Sequence, residues 1–460
     1  MDLLEERKRL EELDRKYLWH PFTQMKEWIE ENPTIITEGK DCFIRDIEGQ
    51  WYIDGISSMW VNIHGHRRRE IDTAIKEQLD RIAHSTLLGL ANAPSAELAG
   101  EIVRLLETSL SPFGQPLKKV FYSDNGSTAV EVALKMAFQY WKHKGVEGRH
   151  AFLAFNNAYH GDTLGAVSVG GVDIFHTVFG PLLFKKFTSP SPNCYHCELG
   201  LDRLTCNMKC LDAMEDILKN HAQEIAAVII EPLIQGAGGM IVAPEGFLKG
   251  VRTLCSTYDV LLIADEVATG FGRTGRMFAC EHEGVVPDII CLSKGITGGY
   301  LPLAVTVATD ELYNAFLGDF RELKTFFHGH SYTGNQLGCA AALACLKIFR
   351  DDQTLDAIQP KIVFLKSWLK DILRLPHVGD TRHAGLMAAV ELIQDKEKKT
   401  PFPYGEKMGW KVCLDVRRKG VFIRPLGNIL VLMPPLAISM ENLKTMLKHI
   451  EDSILTIMHH

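Results

Sequence analysis

Six short, β-rich apolar runs, KKVFYS, AFLAF, IAAVIIEP, VLLIADE, DIICLS and LAVTVA, recur between about residues 118 and 310, separated by stretches of amphipathic helical period. Apolar runs of strand length suit strands covered on both faces, and strands alternating with helices build a largely parallel sheet. The predicted fold class is therefore α/β. In such sheets ligands bind beyond the carboxyl ends of the strands. That singles out the polar residues directly after the runs: Asp124, Glu231, Asp265 and Lys294.

The flanks differ. Before about residue 70 lie a helical N-terminal stretch and a turn-rich strand pair around CFIRDIEGQWYIDG, and after about 340 a set of helices and strands. These predict a large domain over residues 71–340 and a smaller α+β domain assembled from 1–70 and 341–460. No internal repeat, low-complexity tract or long linker separates the parts.

With 46% hydrophobic and 23% charged residues, the 460-residue chain has apolar material for one large core or two linked ones. A formal charge of -7 without a long Lys/Arg tract argues against nucleic acid and for a small-molecule partner. Charges interrupt every apolar run of MDLLEERKRLEELDRKYLWHPF, so it lacks the core of a secretory signal. Runs such as AAVII and VLLIA fall short of the roughly 20 residues that span a bilayer. A soluble, cytoplasmic protein with no membrane partner is expected.

Most of the 11 cysteines, such as Cys255, Cys291 and Cys345, sit in apolar contexts that suit reduced, buried thiols. The loop NCYHCELGLDRLTCNMKC differs, placing Cys194, Cys197, Cys206 and Cys210 as C-x2-C and C-x3-C pairs. That spacing admits a structural zinc, and it equally describes a cysteine-bearing surface excursion. No metal is expected in the chemistry itself.

SDNGST, residues 123 to 128, follows the first run and opens a helix whose apolar positions are Val130, Ala133, Leu134, Ala137 and Trp141. Gly126 and Ser127 thus lie at a helix N-terminus, where free N–H groups and the helix dipole favour a phosphate; simple capping explains the same residues. VLLIADEVATGFGRTG delivers Asp265 and Glu266 to the polar end of a buried strand, and DIICL ends in Ser293-Lys294-Gly295. A lysine among apolar strand ends can have a lowered pKa that suits Schiff-base work, and a solvated lysine explains the same residue. A phosphate cradle, a strand-end acid and a strand-end lysine together match what pyridoxal phosphate requires.

LLIADEVATGFGRTG followed by PDIICLSKGITGGYLPL resembles the signature of the class III, fold type I aminotransferases, and the likeness extends over nearly the whole chain. The resemblance implies pyridoxal 5'-phosphate as cofactor, carried by Lys294 as a Schiff base, with Asp265 paired to the pyridine nitrogen. It implies Gly126 and Ser127 at the phosphate and Tyr159 of NAYHGDT against the cofactor ring. FFHGHSYTGN, with Gly329, His330 and Ser331, is similar to the stretch that reaches a partner subunit's phosphate, implying a homodimer with shared active sites. Ser331 stands where a Thr is usual, and the hydroxyl is retained.

YLWHPFTQM, DGISSMWVNIHGH and GVFIRPLGNILVLMPP narrow the resemblance to the branch that converts 8-amino-7-oxononanoate to 7,8-diaminononanoate for biotin. By that resemblance Trp60 lines the substrate site and Arg424 clamps the acid's carboxylate, as a guanidinium can through paired hydrogen bonds. Asp162 and Arg273 lie near the substrate amine end in relatives. For the amino donor, S-adenosylmethionine or lysine, this sequence departs from the adenosylmethionine pattern: Phe22 replaces a Tyr, Met59 a Trp and Val431 a Tyr. Each change removes an aromatic or polar group that can engage an adenosyl moiety, which favours lysine. The expected kinetics are ping-pong. Alternatives are a class III ω-aminotransferase of ornithine or 4-aminobutyrate type, an aminomutase, or a cofactor-binding regulator; the intact Lys294 and Asp265 speak against the last.

Overall fold

The computed structural model describes residues 3–458. The six predicted runs all become strands of one sheet: β1 (Leu117–Ser123), β2 (Ala151–Phe155), β4 (Ile225–Ile230), β5 (Leu261–Asp265), β6 (Ile289–Leu292) and β7 (Ala304–Thr309). A seventh strand, β3 (Lys186–Ser189), completes the order β1-β7-β6-β5-β4-β2-β3. The sequence hid β3 because KFTS is short and mostly half-exposed, as an edge position permits. β7 runs antiparallel to both its neighbours, and the remaining pairings are parallel.

Every residue of β2, β4, β6 and β7 is buried, which accounts for their continuous apolar character. Successive side chains still point to opposite faces. Ile229 and Ile263 pack with Ala133 and Ala137 of helix α1 (Gly126–His143), whereas Val228, Leu262 and Ala264 join the larger core on the other face. The indole of Trp141 donates to the Ala226 carbonyl at 2.8 Å, fastening α1 to β4.

Register decides where chemistry can occur. Asp265, the last residue of β5, pairs with Cys291 of β6, and β6 ends at Leu292, two residues before Lys294. Glu231 follows β4 directly, and the segment bearing Tyr159 and His160 follows β2. Four adjacent strands therefore discharge their polar ends onto one rim.

Two smaller sheets come from the flanks of the chain, and the first joins strands far apart in sequence. Ile36–Lys40, Phe43–Asp46 and Trp51–Asp54 form a meander, and Val421–Phe422 adds in parallel to Trp51–Asp54. Val378–Ala384, Met387–Asp395, Thr400–Pro401, Arg424–Leu426 and Ile429–Leu432 make a second sheet. No helix among the described residues is long and apolar enough to cross a membrane.

Ile263 lies fully buried in the central strand β5. Ile263→Ala is expected to cost about 2–5 kcal/mol through lost transfer energy and a residual cavity, seen as a lower denaturant midpoint with an unchanged circular dichroism spectrum.

Candidate active site

Lys294 begins the turn after β6 at φ 46, a left-handed conformation that swings its half-buried side chain over the rim. Its Nζ lies 4.8 Å from the centroid of the Trp60 ring. Burial holds its pKa below the usual lysine value, Asp265 and Glu231 oppose that shift, and Arg273 reinforces it. An amine so placed is uncharged more readily than a surface lysine, as imine formation requires.

Asp265 is 5% exposed, and its Oδ2 lies 2.7 Å from Nδ1 of His160 while its Oδ1 accepts the Val267 N–H at 3.1 Å. His160 is itself buried, and its Nε2 has no partner. Sequence reasoning passed over His160, although its place beside Tyr159 in NAYHGDT was the available signal. Glu231 was noticed at its strand end but not carried into the site. Its Oε1 accepts the Tyr159 N–H at 3.0 Å and its Oε2 the Gly236 N–H at 2.9 Å, and burial pushes its pKa up to about 7.

Opposite these groups stands the N-terminus of α1. Asn125 caps it reciprocally with Thr128, and Ala129 N–H bonds to the Asn125 carbonyl. The Gly126 and Ser127 N–H groups, in the first turn, have no intrahelical partner. Ser127 Oγ accepts the Asp162 N–H at 3.1 Å, and Asp162 Oδ2 accepts the Tyr159 hydroxyl at 2.8 Å. Two glycines make this approach possible. A Cβ on Gly161, at φ +124, would stand 2.0 Å from Ser127 Oγ, and one on Gly126 would stand 2.5 Å from Val267 Cγ1.

Trp60, 8% exposed, ends an unusual turn. Ser57, Ser58, Met59 and Trp60 have φ of 52, 46, 72 and 70. Left-handed conformations cost L-residues roughly 1–2 kcal/mol each, so this segment is strained and must be held by its surroundings. Asp54 supplies one restraint, accepting the Ser58 N–H and hydroxyl at 2.8 and 2.7 Å. The Ser57 hydroxyl supplies another, donating to the Met433 carbonyl at 2.6 Å.

The remaining predicted residues are dispersed around this centre. Arg424 is half-buried; its Nη2 donates to the Phe22 carbonyl at 3.2 Å, its guanidinium lies 5.7 Å from the Trp410 ring, and burial lowers its pKa. Phe22 is 55% exposed and meets Phe175 edge-on at 5.2 Å. Arg273 is enclosed, not open: 1% exposed, it donates to the Asn62 and Pro434 carbonyls at 2.7 and 2.6 Å, with its pKa lowered to about 9 by burial. Its visible work is to tie two backbone segments together. Gly329 and Ser331 are exposed, and His330 Nδ1 lies 3.4 Å from Asp124 Oδ2 beside the α1 N-terminus of its own chain. The four loop cysteines line one small cavity with Arg203 and Met208. No three His, Cys, Asp or Glu side chains among the described residues are gathered so as to hold a metal ion.

Pyridoxal phosphate suits the groups on this rim. The free N–H groups of Gly126 and Ser127 match a phosphate, the enclosed Asp265 carboxylate a ring N–H and the Lys294 amine an aldehyde, while the absence of a side chain at Gly161 lets the Ser127 end of the helix lie against the Tyr159 segment. Comparison with known proteins agrees. A family model described as aminotransferase class-III matches residues 25–454. The adenosylmethionine-8-amino-7-oxononanoate aminotransferase of Geobacter sulfurreducens is 55% identical over 449 residues, 97% of this chain and 98% of that protein. The crystal structure of the enzyme of that name from Methanocaldococcus jannaschii superposes with a TM-score of 0.92 at 46% identity, covering 98% of this chain and 99% of its own. An (S)-enantioselective omega-transaminase from Thermomicrobium roseum superposes at 0.91 with 33% identity, covering 98% of each chain.

Two outcomes test the geometry. Gly161→Ala is expected to weaken cofactor retention by about tenfold or more, some 1.4 kcal/mol, measured by titrating the apoenzyme with pyridoxal phosphate. Burial pushes the Glu231 carboxyl from its ordinary 4.5 up to about 7, so the folded state binds this proton more tightly than the unfolded one. Its favourable contribution is complete below pH 4.5 and is lost as pH rises through 7. Stability of Glu231→Gln relative to the unmodified protein should therefore climb between those pH values and level off above, in denaturation curves taken across the range.

Proposed function

The chain belongs to the class III aminotransferases, and on that premise we propose that it transfers an amino group to 8-amino-7-oxononanoate, giving 7,8-diaminononanoate in biotin synthesis. It is a pyridoxal-phosphate-dependent transaminase. Arg424 carries the substrate reading. Its guanidinium is half-buried, no carboxylate among the described residues pairs with it, and it is suited to bind the carboxylate of a long-chain acid. The relatives named for this reaction support the same acceptor.

The bound cofactor supplies an electron sink for the charge left when the amino-bearing carbon loses its proton. Lys294 Nζ would hold the cofactor between turnovers and is the group to take that proton and return it. Asp265, oriented by His160, would keep the ring nitrogen protonated. Tyr159, its hydroxyl pinned by Asp162, would face the ring, and Gly126 and Ser127 would hold the phosphate. Trp60 closes one wall of the acceptor site.

S-Adenosylmethionine is the donor we propose, in place of the lysine that Phe22, Met59 and Val431 favoured. Val431 is 2% exposed within its sheet and offers no surface for a donor, whereas Phe22 retains an open aromatic face. Relatives at 38 to 55% identity carry adenosylmethionine in their names. The protein acts as a homodimer: Leu88, Leu90, Phe327 and Tyr332 are 89, 62, 70 and 61% exposed, and the His84 ring meets the Ser331 carbonyl at 2.7 Å. Such apolar exposure suits an interface and supports the reading that Gly329, His330 and Ser331 reach the partner's cofactor phosphate.

The deciding experiment mixes the cofactor-loaded protein with S-adenosylmethionine or with lysine, follows the cofactor absorbance, then adds 8-amino-7-oxononanoate and assays the diamine. Diamine formed with adenosylmethionine upholds the reading; reaction with lysine alone restores the other donor, and reaction only with ornithine or 4-aminobutyrate overturns the acceptor. Lys294→Ala is expected to abolish turnover with the fold retained. Arg424→Ala should raise KM for the acid by roughly 10- to 100-fold, about 1.5–3 kcal/mol for a charge-assisted contact, with a smaller effect on a carboxyl-free analogue in steady-state assays.

A further inference from the structure

The contact between Trp60 and Lys294 depends on a backbone that would not hold its shape unaided, and one enclosed carboxylate meets that backbone at its centre. We propose that Asp54 is a positioning residue for the reaction, acting through the Ser57–Trp60 turn to keep the Trp60 ring against the Lys294 amine. This rests on the reading of Lys294 as the cofactor-bearing lysine.

Asp54 is fully buried at the end of the strand Trp51–Asp54, where it pairs with Phe422 across the parallel junction. Its Oδ1 accepts the Ser58 N–H, and its Oδ2 accepts the Ser58 hydroxyl and faces His66 Nε2 at 3.0 Å. Both oxygens are thus committed to the turn and its exit. Met433 clamps the entrance from the other side, its N–H donating to the Gly55 carbonyl at 2.8 Å and its carbonyl accepting the Ser57 hydroxyl. Beyond the turn, Trp60 packs on Gly236, where an added Cβ would meet its Cζ3 at 3.1 Å. The same Gly236 donates its N–H to Glu231.

Asp54 does not reach Lys294 by its charge. The charged groups that bear on the amine are Asp265, Glu231 and Arg273, and the field of Asp54 falls on Arg273. Its influence passes through the position of the indole, and an uncharged change elsewhere in the same clamp must reproduce it.

The test uses holoenzyme and reads the pH midpoint of the bound-cofactor absorbance together with kcat and KM for Asp54→Asn, Ser57→Ala, Ser58→Ala and Trp60→Ala. Asp54→Asn should move the midpoint in the same direction as Trp60→Ala, at least half as far, and lower kcat tenfold or more. The two serine variants should give smaller shifts of the same sign. A lowered Tm with midpoint and kcat at their unmodified values would assign Asp54 to stability alone. An unshifted midpoint in Trp60→Ala, or in both serine variants should Asp54→Asn not fold, overturns the proposal equally. Lys294→Ala, expected to lose the pH-dependent absorbance altogether, tests the underlying reading separately.

Discussion

The hydrogen bond between His160 and Asp265 is the contact around which the rest of the site is arranged. A carboxylate at the end of a strand whose neighbours are fully apolar loses its water, and such a loss is tolerable only where polar partners replace it. Here the replacement comes from a histidine on the segment after the next strand but one and from the backbone at Val267. The parallel sheet makes that meeting possible, because β2, β4, β5 and β6 all end on the same side. Glu231, Lys294 and Arg273 share the enclosure, and the balance among them keeps the lysine below its ordinary pKa without leaving it alone among acids.

Around this rigid centre the segments proposed to meet a substrate come from the two ends of the chain. Trp60 and Phe22 lie early in sequence and Arg424 late, and strand pairing, the Ser57–Met433 contact and the Arg273 clamp bring them together. Cofactor chemistry thus belongs to the sheet, whose geometry is fixed by burial. The proposed recognition belongs to the turn at Trp60, the segment at Phe22 and the start of the strand at Arg424, joined by a few backbone contacts.

Much of this was legible in the sequence because burial on both faces writes continuous apolar runs, and six strands were found from them. The edge strand β3 was not, since half-exposed KFTS carries no such mark. Asp265 and Lys294 stood out as polar residues closing apolar runs. His160 did not, because a histidine in a loop announces its partner only when the fold sets Asp265 beside it. The left-handed turn at Ser57–Trp60 was invisible for a similar reason: nothing in SSMW suggests positive φ, and long-range contacts impose it against local preference. Arg273, expected near the substrate amine end, bears on Lys294 while its guanidinium is held between two backbone carbonyls, a packing that only the fold reveals.

The contact from Ser57 to Met433 joins residues 376 positions apart. During synthesis the sheet bearing Asp265 and Lys294 has emerged well before Met433, yet until that residue arrives the turn at Trp60 has only one of its two anchors. Contacts of such long sequence separation form late, after the entropy of closing the intervening chain has been overcome. A nascent chain thus has the lysine proposed to carry the cofactor before it has the walls proposed to choose the substrate. On that reading selectivity is the last property this polypeptide acquires.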